Sequence, residues 1–278
     1  MNNTFAFNRF KNLLLKDGKM YIRNFGTNLI VFCCMTAILW IFTLLFRNSA
    51  QGASRFAIIV ASTAFAMMLA PSKVYGNANL SREGVGFAML PASSLEKFIS
   101  MFIYCAIVTP VVVFFGGYLI DTLLSFFPFG GFEKPIHLYT MNELVRLAND
   151  SEGVVQAGDL EIAFTDVFPI GVIRTGIYFG IIQWAAIFML GNMLFKKHKA
   201  GKTFACYLGI SYVISTILGG VLYSTGALEK WITKIGYLPT EQKMQLFHNW
   251  MFGGMVFSIL LTALLLYFTY RKIKTQKY

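Results

Sequence analysis

The residue types that catalyse are scattered along this chain. His137, His198 and His248 stand on three separate segments with no paired-ligand spacing, so no metal site is expected. No two acids share an apolar run, which leaves an intramembrane aspartyl chemistry or a proton relay without groups. Ala200-Gly201-Lys202-Thr203 matches the end of a phosphate-binding loop. Lys196 occupies the place of that loop's first glycine, however, and an apolar helix stands where a strand is required. ATP is therefore not expected to bind there. The serines have no histidine at a matching depth, so no catalytic residue is assigned and a membrane-embedded hydrolase has no constellation to run on.

Two features carry chemistry of another kind. Arg174 is a charge within an apolar run, about 9 Å in from Phe168 at helical rise. It faces a cavity and an anionic group of cargo, or it snorkels to the interface or pairs with an acid such as Asp166. The second feature is Leu80–Phe98, LSREGVGFAMLPASSLEKF. Ser81-Arg82-Glu83 opens a short helix, Gly84 and Gly86 loosen it, and Pro91 stops it. Ser93 and Glu96 have capping-box spacing: hydroxyl to the Glu96 amide, carboxylate back to the Ser93 amide. A short helix, a sharp corner and a long helix are predicted.

Composition says where these elements sit. The chain has 278 residues, 56% hydrophobic and 13% charged, against about 25% charged in ordinary soluble domains. Apolar runs of spanning length, about 20 residues each, recur along it. An all-α integral membrane protein is predicted. Cys33, Cys34, Cys105 and Cys206 all lie inside apolar runs and read as buried hydrophobes.

In order, residues 1–27 read as an amphipathic elbow helix lying in the membrane interface, with Phe7, Phe10 and Leu14 on one face; a basic tail is the other reading. Residues 28–278 read as one six-span domain. The spans are Asn28–Phe46, Phe56–Pro71 (extended by Ala53–Arg55, with Arg55 snorkelling), Phe98–Ile120, Phe168–Phe195, Thr203–Tyr223 and Asn249–Tyr270. Pro110 should kink the third, and Gly176 with Gly180 permits close approach on the fourth. The segment 80–98 joins spans two and three. Residues 121–168 form a small cap holding eight acids, with a capping box at Thr140 and Glu143 and a strand near Leu160–Phe164. Residues 224–248 hold outer interfacial helices.

The net charge of +11 comes from 24 Lys and Arg against 13 Asp and Glu. No aromatic-basic interleaving suggests a nucleic-acid partner. Sixteen of the basic residues fall on one side of the six-span layout and seven on the other. The sixteen mark the cytoplasmic side, with both termini inside and the acidic cap outside. The Lys196–Lys202 loop is a topology anchor and secondarily a contact for anionic lipids.

The layout, together with Met89-Leu90-Pro91-Ala92-Ser93-Ser94-Leu95-Glu96-Lys97-Phe98, resembles bacterial ABC transporter permease subunits of the type-2 exporter class, one group of which carries an LPAS-x-x-EKF signature. The resemblance implies a chain in the bacterial inner membrane without an ATPase of its own. It pairs with a second copy or a sister permease, and a separate ATPase subunit binds the ATP. It implies that Ser81–Met89 is a coupling helix and Pro91–Lys97 the corner that passes its motion to the third span. Ser81, Arg82, Glu83, Phe87, Leu90, Pro91, Ser93, Glu96 and Lys97 are then the coupling residues, with the charged ones at the rim of the motor's groove and Phe87 as buried anchor. The expected activity is export of an amphiphilic, lipid-like or peptide-like substrate. The cap departs from the class in being long, so it gates exit or docks an outer partner. The competing expectation is a scaffold or sensor that binds a partner through the acidic cap and moves nothing.

Overall fold

The computed structural model describes residues 5–46, 52–80, 84–127, 132, 134–139, 155–157, 160–162, 170–226 and 240–275. The sequence reading places a helix boundary at residue 27. Instead α1 (Phe7–Cys33) runs through it, breaks at Cys34 and continues as α2 (Met35–Phe46). The reason is a stripe that ignores the boundary. Phe10, Leu13, Asp17, Tyr21, Phe25 and Leu29 are buried at steps of three and four residues, so one face stays packed across Gly26.

What that face packs on is the third apolar run: α5 (Ser94–Phe102), a π-helical turn (Ile103–Val108) and α6 (Thr109–Ser125). The Tyr104 hydroxyl donates to Leu14 O at 2.8 Å, the Tyr21 and Thr109 hydroxyls meet at 2.9 Å, and the Trp40 and Phe127 rings meet at a tilt with centroids 5.8 Å apart. Partners advance together along both chains, so α1–α2 and α5–α6 run parallel. Pro110 has no N–H for the usual helical bond, and the expected kink is taken up as the wider turn just before it. There Thr109 donates to Tyr104 O from its backbone N–H and, at 2.8 Å, from its hydroxyl.

α3 (Gly52–Val74) runs back antiparallel to α6, with Pro71 in its last turn. α7 (Ile170–Leu194) packs centrally and buries Ala185, Ala186, Met189 and Met193. α8 (Lys199–Ser224) follows, and α9 (Thr240–Thr275) returns along α7. The Ser258 hydroxyl donates to Gln183 Oε1 at 2.8 Å, and Trp184 Nε1 donates to Ala64 O at 3.0 Å. A two-stranded antiparallel hairpin, β1 (Val155–Ala157) and β2 (Leu160–Ile162), pairs Val155 with Ile162. The capping box expected at Thr140 and Glu143 lies outside the described residues.

Helices in lipid associate through close packing, which small residues allow. A Cβ at Gly117 would stand 3.2 Å from Ile59 Cγ1, and Gly116 lies against Cys33 Sγ. α7 meets α8 through Gly191, which lies against Thr203. The Thr203 hydroxyl donates to Lys199 O at 2.7 Å, so it is not free to turn away. Gly180, expected to mark a close approach, has open space within 4 Å. Gly191→Ala should therefore destabilise the protein by about 1–3 kcal/mol while Gly180→Ala changes little; unfolding midpoints in mild detergent read the difference.

At the end of α6 Asp121 accepts from Arg55 Nη2 at 3.0 Å and from Ile136 N at 2.8 Å. Arg55 also donates to Lys134 O at 2.7 Å and lies over the Phe132 ring at 4.2 Å. Its side chain is 0% exposed. The expected outward snorkel of Arg55 is corrected: it is an internal post holding Phe132 and residues 134–139 onto α3 and α6, because the buried acid Asp121 faces it from α6.

Candidate functional site

Residues 74–80 and 84–100 lie at the opposite end of α3 and α6 from this post and are held by hydrogen bonds to α1, α7 and α8. A 3-10 turn, Gly76–Asn79, follows α3. Asn79 Nδ2 donates to Met193 O and Phe195 O, both at 2.9 Å, and so caps the end of α7. Lys199 reaches across from the first turn of α8 to Asn79 Oδ1 at 2.9 Å and to Gly76 O. Asn192 Nδ2 donates to Tyr75 O at 3.2 Å.

α4 (Gly84–Ala88) comes next. Lys97 Nζ donates to Phe87 O at 2.7 Å and Ala88 O at 3.1 Å, and lies 5.2 Å from the Phe87 ring centroid. A cation on the last carbonyls of a helix satisfies groups that the helix cannot. The expected capping box is formed: Glu96 N donates to Ser93 Oγ at 3.2 Å, and Ser93 N donates to Glu96 Oε2 at 2.8 Å.

The same carboxylate has further donors from the start of α1. Arg9 reaches Glu96 through Nη2 at 2.9 Å and Nε at 3.1 Å, and Ala6 N donates to Oε1 at 2.9 Å. One turn up, Asp17 Oδ2 accepts from the Ser100 hydroxyl at 2.6 Å and from the Tyr75 hydroxyl at 3.0 Å. Burial, and after it the Asp17 carboxylate, push the Tyr75 phenol well above its ordinary range, which keeps it a donor. Three stretches distant in sequence thus close on one corner.

This geometry revises the expected coupling residues. Glu96 is 0% exposed and Lys97 6%, so neither is available at a partner's rim; both hold the corner from within. Phe87 is half-buried and packs on the core formed by α1, α3, α5 and α7. Ser93 is buried, Leu90 half-buried and Pro91 exposed. Apolar side chains that do face outward are Met89, 79% exposed, with Val85 and Leu95. Ser81, Arg82 and Glu83 lie outside the described residues. Arg174 falls within α7, and its side chain lies outside them too. Among the described residues no cluster of His, Cys, Asp or Glu suits a metal ion.

Sequence reasoning missed Arg9, Asp17, Asn79 and Lys199. Asp17 was legible in part: it stands on the stripe Phe10, Leu13, Tyr21, Phe25, where an acid needs a buried donor. The other three bind groups 87, 114 and 120 residues away, and no local spacing announces such pairs.

Among the described residues, five helices are long and apolar enough to cross a membrane: Phe7–Phe46, Gly52–Val74, Ser94–Ser125, Lys199–Val221 and His248–Thr275, with a shorter apolar helix at Phe179–Leu194. The architecture is that of a helical membrane protein. No family model, curated protein or solved structure matches the chain.

Proposed function

We propose that the chain is the six-span membrane subunit of an ABC exporter, driven by a separate ATPase subunit and paired with a second copy or a sister permease. Both termini lie on the cytoplasmic face of a bacterial inner membrane, and the cargo is an amphiphile. The supporting observation is the corner at Glu96. A short helix with an exposed apolar tip is fixed through Lys97 and Phe87 to a capped helix that continues into a spanning one. Force applied at Met89 then moves the third span, because no loose joint intervenes. Val85, Met89 and Leu95 dock on the motor; Glu96 and Lys97 transmit.

Purification from native membranes in mild detergent tests this. The chain should bring an ATPase subunit with it. Met89→Asp should reduce that subunit at least about tenfold, the scale of one lost interface anchor, without shifting the chain's own unfolding midpoint. If wild type carries no ATPase, or Met89→Asp leaves the assembly intact, the reading is wrong. The Arg55–Asp121 post favours a second reading, a scaffold or sensor, since it gives the outer face an ordered segment for a partner. Cargo movement in vesicles that depends on ATP turnover excludes it.

A further inference from the structure

Opposite its buried stripe, α1 carries a basic face. Asn12, Leu15, Lys16, Lys19, Met20 and Arg23 line a furrow of about 510 Å³. Asn12, Lys16, Lys19 and Arg23 follow at steps of four, three and four, one per turn. All four are exposed.

Their depth is what matters. A Cβ at Gly18 would stand 2.6 Å from the Tyr104 hydroxyl, and Tyr21 meets Thr109. Lys19 and Arg23 therefore stand level with Tyr104 and Thr109, on the far face of α1. Those residues lie about 15 and 22 Å along the Ser94–Ser125 helix at 1.5 Å per residue, a helix apolar and long enough to cross a membrane. The ion pairs among the described residues are Arg9–Glu96 and Arg55–Asp121, so none involves Lys16, Lys19 or Arg23. Asp17, the nearest acid in sequence, faces the other way and is held by Ser100 and Tyr75. Leu15 and Ile22, 59% and 71% exposed, flank the charges. A ladder of cations bordered by exposed apolar side chains, on a helix that continues into a spanning one, matches a molecule with an anionic head and acyl tails.

We propose that the furrow binds the anionic headgroup of a membrane lipid or lipid-like amphiphile entering from the leaflet at the basic end. Its chains lie against Leu15 and Ile22, and its head rests between Lys16, Lys19 and Arg23. The inference deepens the transport reading by naming the cargo class and rests on that reading for movement, whereas binding stands by itself.

The full chain in nanodiscs of phosphatidylcholine and phosphatidylglycerol at 4:1 tests it, with protein-bound phosphatidylglycerol measured by mass spectrometry after partial delipidation. Wild type should retain the anionic lipid above its bulk share. The variant K16Q/K19Q/R23Q should bind it roughly tenfold more weakly, and Lys19→Arg should behave as wild type. The variant K272Q/K274Q, with two exposed lysines neutralised outside the furrow, should also keep it. Equal retention by the triple variant overturns the site. Equal loss from K272Q/K274Q shows unspecific surface charge and overturns it too. Millimolar glycerol 3-phosphate should displace nothing; displacement overturns the lipid as occupant. None of these readings needs an ATPase subunit, so the furrow and the transport reading fail separately.

Discussion

Asp121→Leu is expected to destabilise the protein by about 3–5 kcal/mol, the usual penalty when a buried ion pair loses one member. Arg55 would be left with its guanidinium fully buried, Lys134 O as its remaining hydrogen-bond partner and the Phe132 ring beneath it. Among the described residues Arg55 Nε and Nη1 and Asp121 Oδ1 have no hydrogen-bond partner, so the pair there is held by few contacts. The double variant Arg55→Met with Asp121→Leu should recover most of the loss, since apolar groups of similar size replace such a pair at little cost. Unfolding in detergent checks both. Limited proteolysis adds a separate reading: the single variant should be cut faster within 132–139, which the pair holds in place. A double variant as unstable as the single would mean that the charges themselves, and not their pairing, support this end.

The second large effect is expected at the other end. Glu96→Ala removes the acceptor shared by Ser93 N, Ala6 N and Arg9. A lost N-cap interaction is worth about 1 kcal/mol, and each further donor left without its partner adds about 1, so a loss of about 2–3 kcal/mol is expected. Glu96→Gln keeps one acceptor oxygen and should lose less. On the proposed reading as an exporter subunit, Glu96→Ala should also uncouple: ATP turnover by the partner continues while cargo movement falls, because α5 is no longer fixed to α1. A variant that loses stability but keeps the ratio of cargo moved to ATP hydrolysed would confine Glu96 to folding.

The sequence was most legible where partners are near one another. The Ser93–Glu96 box closes over three residues, and its spacing names both donors and both acceptors. Pro110 declared a disturbance in the third span, though not that the helix would widen ahead of it. α7 and α8 begin and end within a few residues of the expected spans, because apolar runs bounded by charges set their lengths; α9 starts nine residues ahead of Asn249, so residues 240–248, expected among the outer interfacial helices, continue into the last span. What failed were charges whose partners lie far off. Arg55 read as a snorkelling end residue because Asp121 is 66 residues on. Glu96 and Lys97 read as rim charges because exposure is the ordinary state of such residues, and nothing local revealed that α1 would cover them. The elbow boundary at residue 27 rested on charge content, and the buried stripe along α1 overrode it.

The parallel pairing of α1 with α5–α6 also bears on the order of manufacture. Asp17 leaves the ribosome 58 residues before Tyr75 and 83 before Ser100. At 5–20 residues per second, the second interval is about 4–17 s. Tyr75 and α3 are made within that wait, and the Ser100 hydroxyl completes the seat of Asp17 only at its end. The upper part of the first helix can be inserted early, but its seat is complete only when the third run arrives, so a truncation before residue 100 should leave a chain that the cell's quality control degrades.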